Sequence, residues 1–103
     1  MKNTYQELEL NNGEVVKLTL NFARLLKIKN DNKKLYTRLM EVLQAENIDV
    51  LFDSLVVLYV GYLCANLDKE EVLSEEDFMD LVPFDLELLN VLAGKLISSD
   101  KKK

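Results

Sequence analysis

The chain has no histidine and no tryptophan, and only one cysteine, one proline and three glycines among its 103 residues. Each scarcity removes chemistry. Without histidine there is no Ser-His-Asp or Cys-His nucleophile system. With Cys64 as the lone thiol, no thiolate or imidazole zinc site forms within one chain, and no intrachain disulfide is possible. Gly13, Gly61 and Gly94 stand too far apart to build a phosphate-cradling loop. Long apolar runs are also missing. The longest, Val50 to Ala65, is interrupted by Asp53 and Ser54 and falls short of the roughly 20 residues of a membrane span. The opening Met1-Lys2-Asn3-Thr4-Tyr5 carries no signal-peptide pattern, so a cytoplasmic protein is expected.

Hydrophobic residues make up 49% of the chain and charged residues 30%, a folded composition and not a disordered one. The expectation is one domain over 1–103, α+β and mostly α. An N-terminal β-hairpin over about 4–20 packs on a bundle of four to five helices over 22–97, and 98–103 forms a flexible tail. The hairpin follows from period-two alternation. Leu8 and Leu10 alternate with Glu7 and Glu9, and Val16, Leu18 and Leu20 alternate with Val15, Lys17 and Thr19. Asn11-Asn12-Gly13 between the runs tolerates positive φ. A two-stranded ribbon is marginal alone, so its leucine face must lie on helices.

Helical spacing starts after Asn21, a natural N-cap. Phe22, Leu25, Leu26 and Lys29 share one side of a short helix, and Asn30-Asp31-Asn32 breaks it. Leu35, Leu39, Met40 and Leu43 define a second helix to about Ala45. Asn47 or Asp49 caps a third, from about Val50 to Asn66, which is apolar around most of its circumference. Ser74 opens a capping box with Asp77, ahead of a short helix bearing Phe78, Leu81 and Val82 that Pro83 ends. Asp85 caps the last helix, with Leu86, Leu89, Leu92, Ala93, Leu96 and Ile97 in one stripe.

The net charge of −5 conceals a segregation. Asn21 to Gln44 carries six bases and two acids, whereas Asp68 to Glu87 carries nine acids and one base. These are either two solvated faces or the complementary halves of head-to-tail self-association, with a basic partner as a further candidate for the acidic stretch. Asp68, Glu70, Glu71, Glu75, Glu76 and Asp80 are the candidate specificity residues. The acidic total disfavours nucleic acid. A calcium loop starting at Asp68 would need Gly and Glu where the chain has Leu73 and Met79. Acid pairs such as Glu75 with Asp80 come with no nucleophile or electrophile. No catalytic residue, cofactor or metal ligand is assigned, and the expectation is a non-catalytic protein.

The third helix is the feature to single out. Ser54, Gly61 and Ala65 place small residues near one line, where a second backbone can approach closely. Either the chain's own hairpin and helices cover this helix, or a partner does. The candidate partner or self-association surface comprises Ser54, Val57, Leu58, Gly61, Tyr62 and Ala65. Tyr59 and Tyr62 suit both arrangements, having a large apolar body and a hydroxyl that tolerates water.

Several segments in order resemble a known family. They are Val16-Lys17-Leu18-Thr19-Leu20-Asn21-Phe22, Leu35-Tyr36, Val57-Leu58-Tyr59-Val60-Gly61-Tyr62-Leu63-Cys64-Ala65-Asn66, Ser74-Glu75-Glu76-Asp77-Phe78 and Leu81-Val82-Pro83-Phe84-Asp85. Together they resemble the tail assembly chaperones of long-tailed phages and prophages of low-GC Gram-positive bacteria. The resemblance implies binding of the tape measure protein, recruitment of tail tube protein, no catalysis, and absence from the finished virion. It also implies a longer product made by ribosomal frameshifting, to which the codons of Lys101-Lys102-Lys103 would be suited. The alternative is a small prophage-encoded adaptor or regulator that binds a host protein through the apolar helix.

Overall fold

The computed structural model describes residues 5–44 and 50–99. The fold is α+β and mostly α, a two-stranded antiparallel hairpin and five helices. The elements are β1 (Gln6–Glu9), β2 (Val15–Leu18), α1 (Phe22–Asp31), α2 (Lys33–Gln44), α3 (Val50–Ala65), α4 (Glu75–Leu81) and α5 (Leu86–Ser99). The expected hairpin start at residue 4, the end of α2 at Ala45, the caps at Asn47 or Asp49 and residues 100–103 of the expected tail lie outside the described residues; the tail is expected from 98, but 98 and 99 continue the last helix, α5.

The hairpin register pairs Gln6 with Leu18, Glu7 with Lys17, Leu8 with Val16 and Glu9 with Val15. Its turn needs a glycine. Gly13 has φ +89° and donates its N–H to the Leu10 carbonyl, while Leu10 N–H donates to the Glu14 carbonyl. That is a type I turn followed by a left-handed bulge residue. The period-two pattern places Leu8, Leu10, Val16, Leu18 and Leu20 in the interior. Thr19, on the alternate register, is buried as well. Its N–H donates to the Gly61 carbonyl at 3.1 Å, because the chain leaving β2 runs over α3 there. Asn11 fastens the other end of the hairpin, with its N–H on the Leu81 carbonyl at 2.7 Å.

Side-chain oxygens cap the helices where the sequence supplies them. Asn21 accepts from Arg24 N–H, Asn32 from Leu35 N–H, Ser74 from Asp77 N–H and Asp85 from Leu88 N–H. The break between α1 and α2 falls on Asn32.

The core forms around α3, which packs against β2 and all four other helices. Leu55 to Val60 are buried without interruption, as are Tyr62 and Cys64. From Ser54 to Cys64 neighbouring elements enclose the helix almost completely, so it has no polar face to keep there, which accounts for its nearly uniform apolar circumference. Among the described residues, no helix is long and apolar enough to cross a membrane.

Three expected stripes are corrected. On α1 the buried residues are Leu25 and Ile28, whereas Phe22 is 78% exposed and Leu26 56%. Leu25 and Ile28 sit three apart on the inner side. Phe22 and Leu26 sit four apart on the other side. On α5 the stripe Leu89, Leu92, Ala93 and Leu96 is buried, but Leu86 is exposed at the helix start. Leu43, in the last turn of α2, is exposed too.

Candidate partner-binding surface

The residues proposed from sequence as a partner surface on α3 are interior. Ser54, Val57, Leu58, Gly61 and Tyr62 are buried within the chain, and Ala65 is half-buried. The chain's own hairpin and α5 cover this helix, so the small-residue line serves internal packing. Gly61 is its tightest point. A Cβ built there would stand 3.0 Å from Leu96 Cδ1 and 3.4 Å from Leu18 Cβ, so a helical glycine lets β2 and α5 close on α3 together.

The two tyrosines of α3 have a specific internal task. Tyr59 Oη donates to the Leu73 carbonyl at 2.9 Å, and Leu73 N–H donates to Tyr62 Oη at 2.8 Å. Both backbone groups of Leu73 are thereby satisfied, which ties the end of the acidic loop to the core. The buried Phe78 ring packs on both tyrosine rings, with centroids 5.4 Å from Tyr59 and 5.1 Å from Tyr62. Burial raises the Tyr59 hydroxyl pKa, and nearby Glu75 adds to it. The phenol therefore stays a hydrogen-bond donor at neutral pH.

Cys64 is fully buried, and burial pushes its thiol up to about 12. It remains protonated at neutral pH and acts as a small packing group, not as a nucleophile. Arg24 crosses the end of α3 and donates to the Cys64 carbonyl at 2.6 Å, a basic group on a helix C-terminus.

The acidic stretch is on the outside. Asp68, Glu70, Glu71, Glu76 and Asp80 are exposed and Glu75 is half-exposed. Glu75 is already engaged. The Arg38 guanidinium holds it through two parallel hydrogen bonds of 2.9 and 2.7 Å, which raise the Arg38 pKa further. The basic and acidic segments thus meet inside one chain at this pair, and the other named acids face solvent. Tyr62, Ala65 and Glu71 share a groove of about 560 Å³ with Glu14, Lys17 and Lys69, so charges of both signs line it.

Sequence reasoning missed where apolar groups reach the surface. Phe84 is 83% exposed and precedes α5, whose Leu86, Leu88 and Val91 are exposed as well. Phe22 and Leu26 project from α1. Phe52, 59% exposed, borders a second groove with Val42, Val56 and Met79. A usable signal was present. In Phe84-Asp85-Leu86-Glu87-Leu88-Leu89 the apolar residues outnumber what one helix stripe can bury.

A further groove of about 490 Å³ runs along β1, lined by Glu7, Leu8, Glu9, Leu10 and Asn11 on one side and by Pro83 and Leu88 on the other. Compared with known proteins, the chain matches no family model, no curated protein and no solved structure.

Proposed function

We propose that this chain is a non-catalytic binding protein that holds a partner polypeptide on its outer apolar surface, in the manner of the tail assembly chaperones it resembles. The observation that carries the reading is the set of large apolar side chains left outside a completed core. Phe22, Leu26, Phe52, Phe84, Leu86 and Val91 are exposed, outside the core that already encloses α3 from Ser54 onward. Single exposed apolar residues are ordinary; three exposed phenylalanines in a chain with four are not. Such surface suits a protein that shields the apolar segments of another chain. The exposed acids from Asp68 to Asp80 supply electrostatic preference for basic segments.

On this reading the partners are the tape measure protein and the tail tube protein, in the host cytoplasm, and copies of the chain self-associate as part of the work. Co-expression with the tape measure protein encoded in the same gene cluster tests it. The expected outcome is a recovered complex and a higher soluble yield of the partner, with Phe84→Ser lowering both. Unchanged solubility and no complex would remove the tail assembly reading. A gene set in a lysogeny or host-takeover cluster would favour the adaptor alternative.

A further inference from the structure

Among the described residues strand β1 has a strand partner on one side only, and the hydrogen-bond parity of the hairpin says which of its groups point away from β2. Leu10 N–H bonds the Glu14 carbonyl. In the same register Leu8 faces Val16 and Gln6 faces Leu18, so these even positions exchange the ladder bonds. Glu7 and Glu9 fall on the alternate positions, where N–H and C=O point away from β2. The next position in that row, Asn11, shows what this edge does when a group is offered: its N–H takes the Leu81 carbonyl at 2.7 Å. Among the described residues, no other strand lies along this edge.

The edge is more than an unpaired strand, because it has a facing wall. The groove beside it is open and shallow, lined by Glu7 to Asn11 and, across from them, by Pro83 and the exposed Leu88. An edge guarded only against aggregation needs its charges and nothing else. Here Leu8 and Leu10 line the groove through their backbone, since their side chains are buried in the core; Pro83 and the exposed Leu88 supply its apolar surface, and the outer side carries the carboxylates of Glu7 and Glu9. A third strand laid along β1 would alternate in the same way. Residues opposite Glu7 and Glu9 would point to their carboxylates, and the residues between would point into the groove.

We propose that the β1 edge seats an extended segment of a partner protein in which Lys or Arg alternates with apolar residues. Backbone pairing to Glu7 and Glu9 would supply the register, the two carboxylates would select basic side chains, and the Pro83–Leu88 wall would take the apolar ones. A second copy using its own β1 does not fit. Antiparallel pairing of two such edges brings four carboxylates together, which is unfavourable directly across a ladder. The proposal rests on the reading of this chain as a binding protein and adds the kind of segment that it would hold.

The test uses a fluorescein-labelled peptide of about eight residues alternating Lys with Val, with binding to the full chain read by anisotropy. Three comparisons accompany it: the same peptide N-methylated at alternate amides, a Glu-for-Lys peptide, and the chain carrying Glu9→Pro. That substitution removes an outward N–H and no ladder bond, and circular dichroism confirms that the fold persists. The expected result is saturable binding of the Lys peptide, at least about tenfold weaker for the other peptides and for Glu9→Pro. The double variant Glu7→Lys, Glu9→Lys should reverse the preference toward the Glu peptide. Equal binding of the N-methylated peptide, or no change on charge reversal, overturns the proposal. So does a dimer of the free chain that Glu9→Pro dissolves, since the edge would then belong to a second copy. Failure here beside a recovered tape measure complex would sink the edge proposal alone; peptide binding without that complex would sink only the tail assembly reading.

Discussion

At the residue scale, two glycines in helices separate the two costs that glycine carries. Gly94 is exposed in α5, and a Cβ there meets nothing within 4 Å. Gly94→Ala therefore gains helix propensity without a clash and should raise stability by about 0.5–1 kcal/mol in urea unfolding. Gly61 has the same propensity deficit but stands against Leu96 and Leu18. For Gly61→Ala the propensity gain and the crowding of a buried leucine tip oppose each other, and the net change should stay within about 1 kcal/mol. Gly61→Leu has no such compensation. Its side chain must displace β2 or α5, and a loss of about 3 kcal/mol or more is expected. If Gly61→Leu were as stable as the parent, Gly61 would not be the closure point of β2 and α5 on α3.

At the element scale, the clasp between α3 and the loop leading into α4 is the interaction most open to a clean test. Tyr59→Phe with Tyr62→Phe keeps both rings on Phe78 but frees the carbonyl and the N–H of Leu73. Each lost bond is worth about 0.5–1.5 kcal/mol, so the pair should lose about 1–3 kcal/mol in denaturant unfolding. Limited proteolysis within 67–73 should also quicken, since that loop would lose its anchor. An unchanged cleavage rate would show that the acidic loop is held by something else.

The elements also show what the sequence makes legible. The hairpin, its turn, and the caps at Asn21, Asn32, Ser74 and Asp85 are local, because alternation and short-range hydrogen bonding decide them. On α1, Phe22, Leu25, Leu26 and Ile28 occupy two sides of one helix, and only Leu25 and Ile28 are buried. Periodicity cannot tell which side the rest of the chain will cover. For α3 the sequence left two coverings open, the chain itself or a partner. Long-range packing of β2 and α5 decided between them. The exposed apolar residues near Phe84 were hidden for the same reason, as exposure depends on where α4 and α5 meet the hairpin.

At the scale of the whole molecule, work and scaffold are separated. One nearly all-apolar helix is enclosed from Ser54 onward, and the groups able to meet a partner lie mostly outside it. These are the phenylalanines and leucines of α1 and of 84–91, the exposed acids, and the edge of β1. Among the described residues, Arg38 and Glu75 join the two segregated charge regions. That pair is solvent-accessible and contributes little, of the order of 1 kcal/mol or less. Cohesion therefore rests on α3, and recognition on what surrounds it.

In the free chain α3 is the core and not a face held ready for a partner. Native-state hydrogen exchange of the chain alone measures this directly. Amides from Leu55 to Cys64 should exchange slowest of all, through global unfolding, and those of α1 and of the first turn of α5 faster. Exchange from Leu55 to Cys64 as fast as that of the outer helices would show that α3 is not the core, because it would then open on its own and offer its apolar side to a partner.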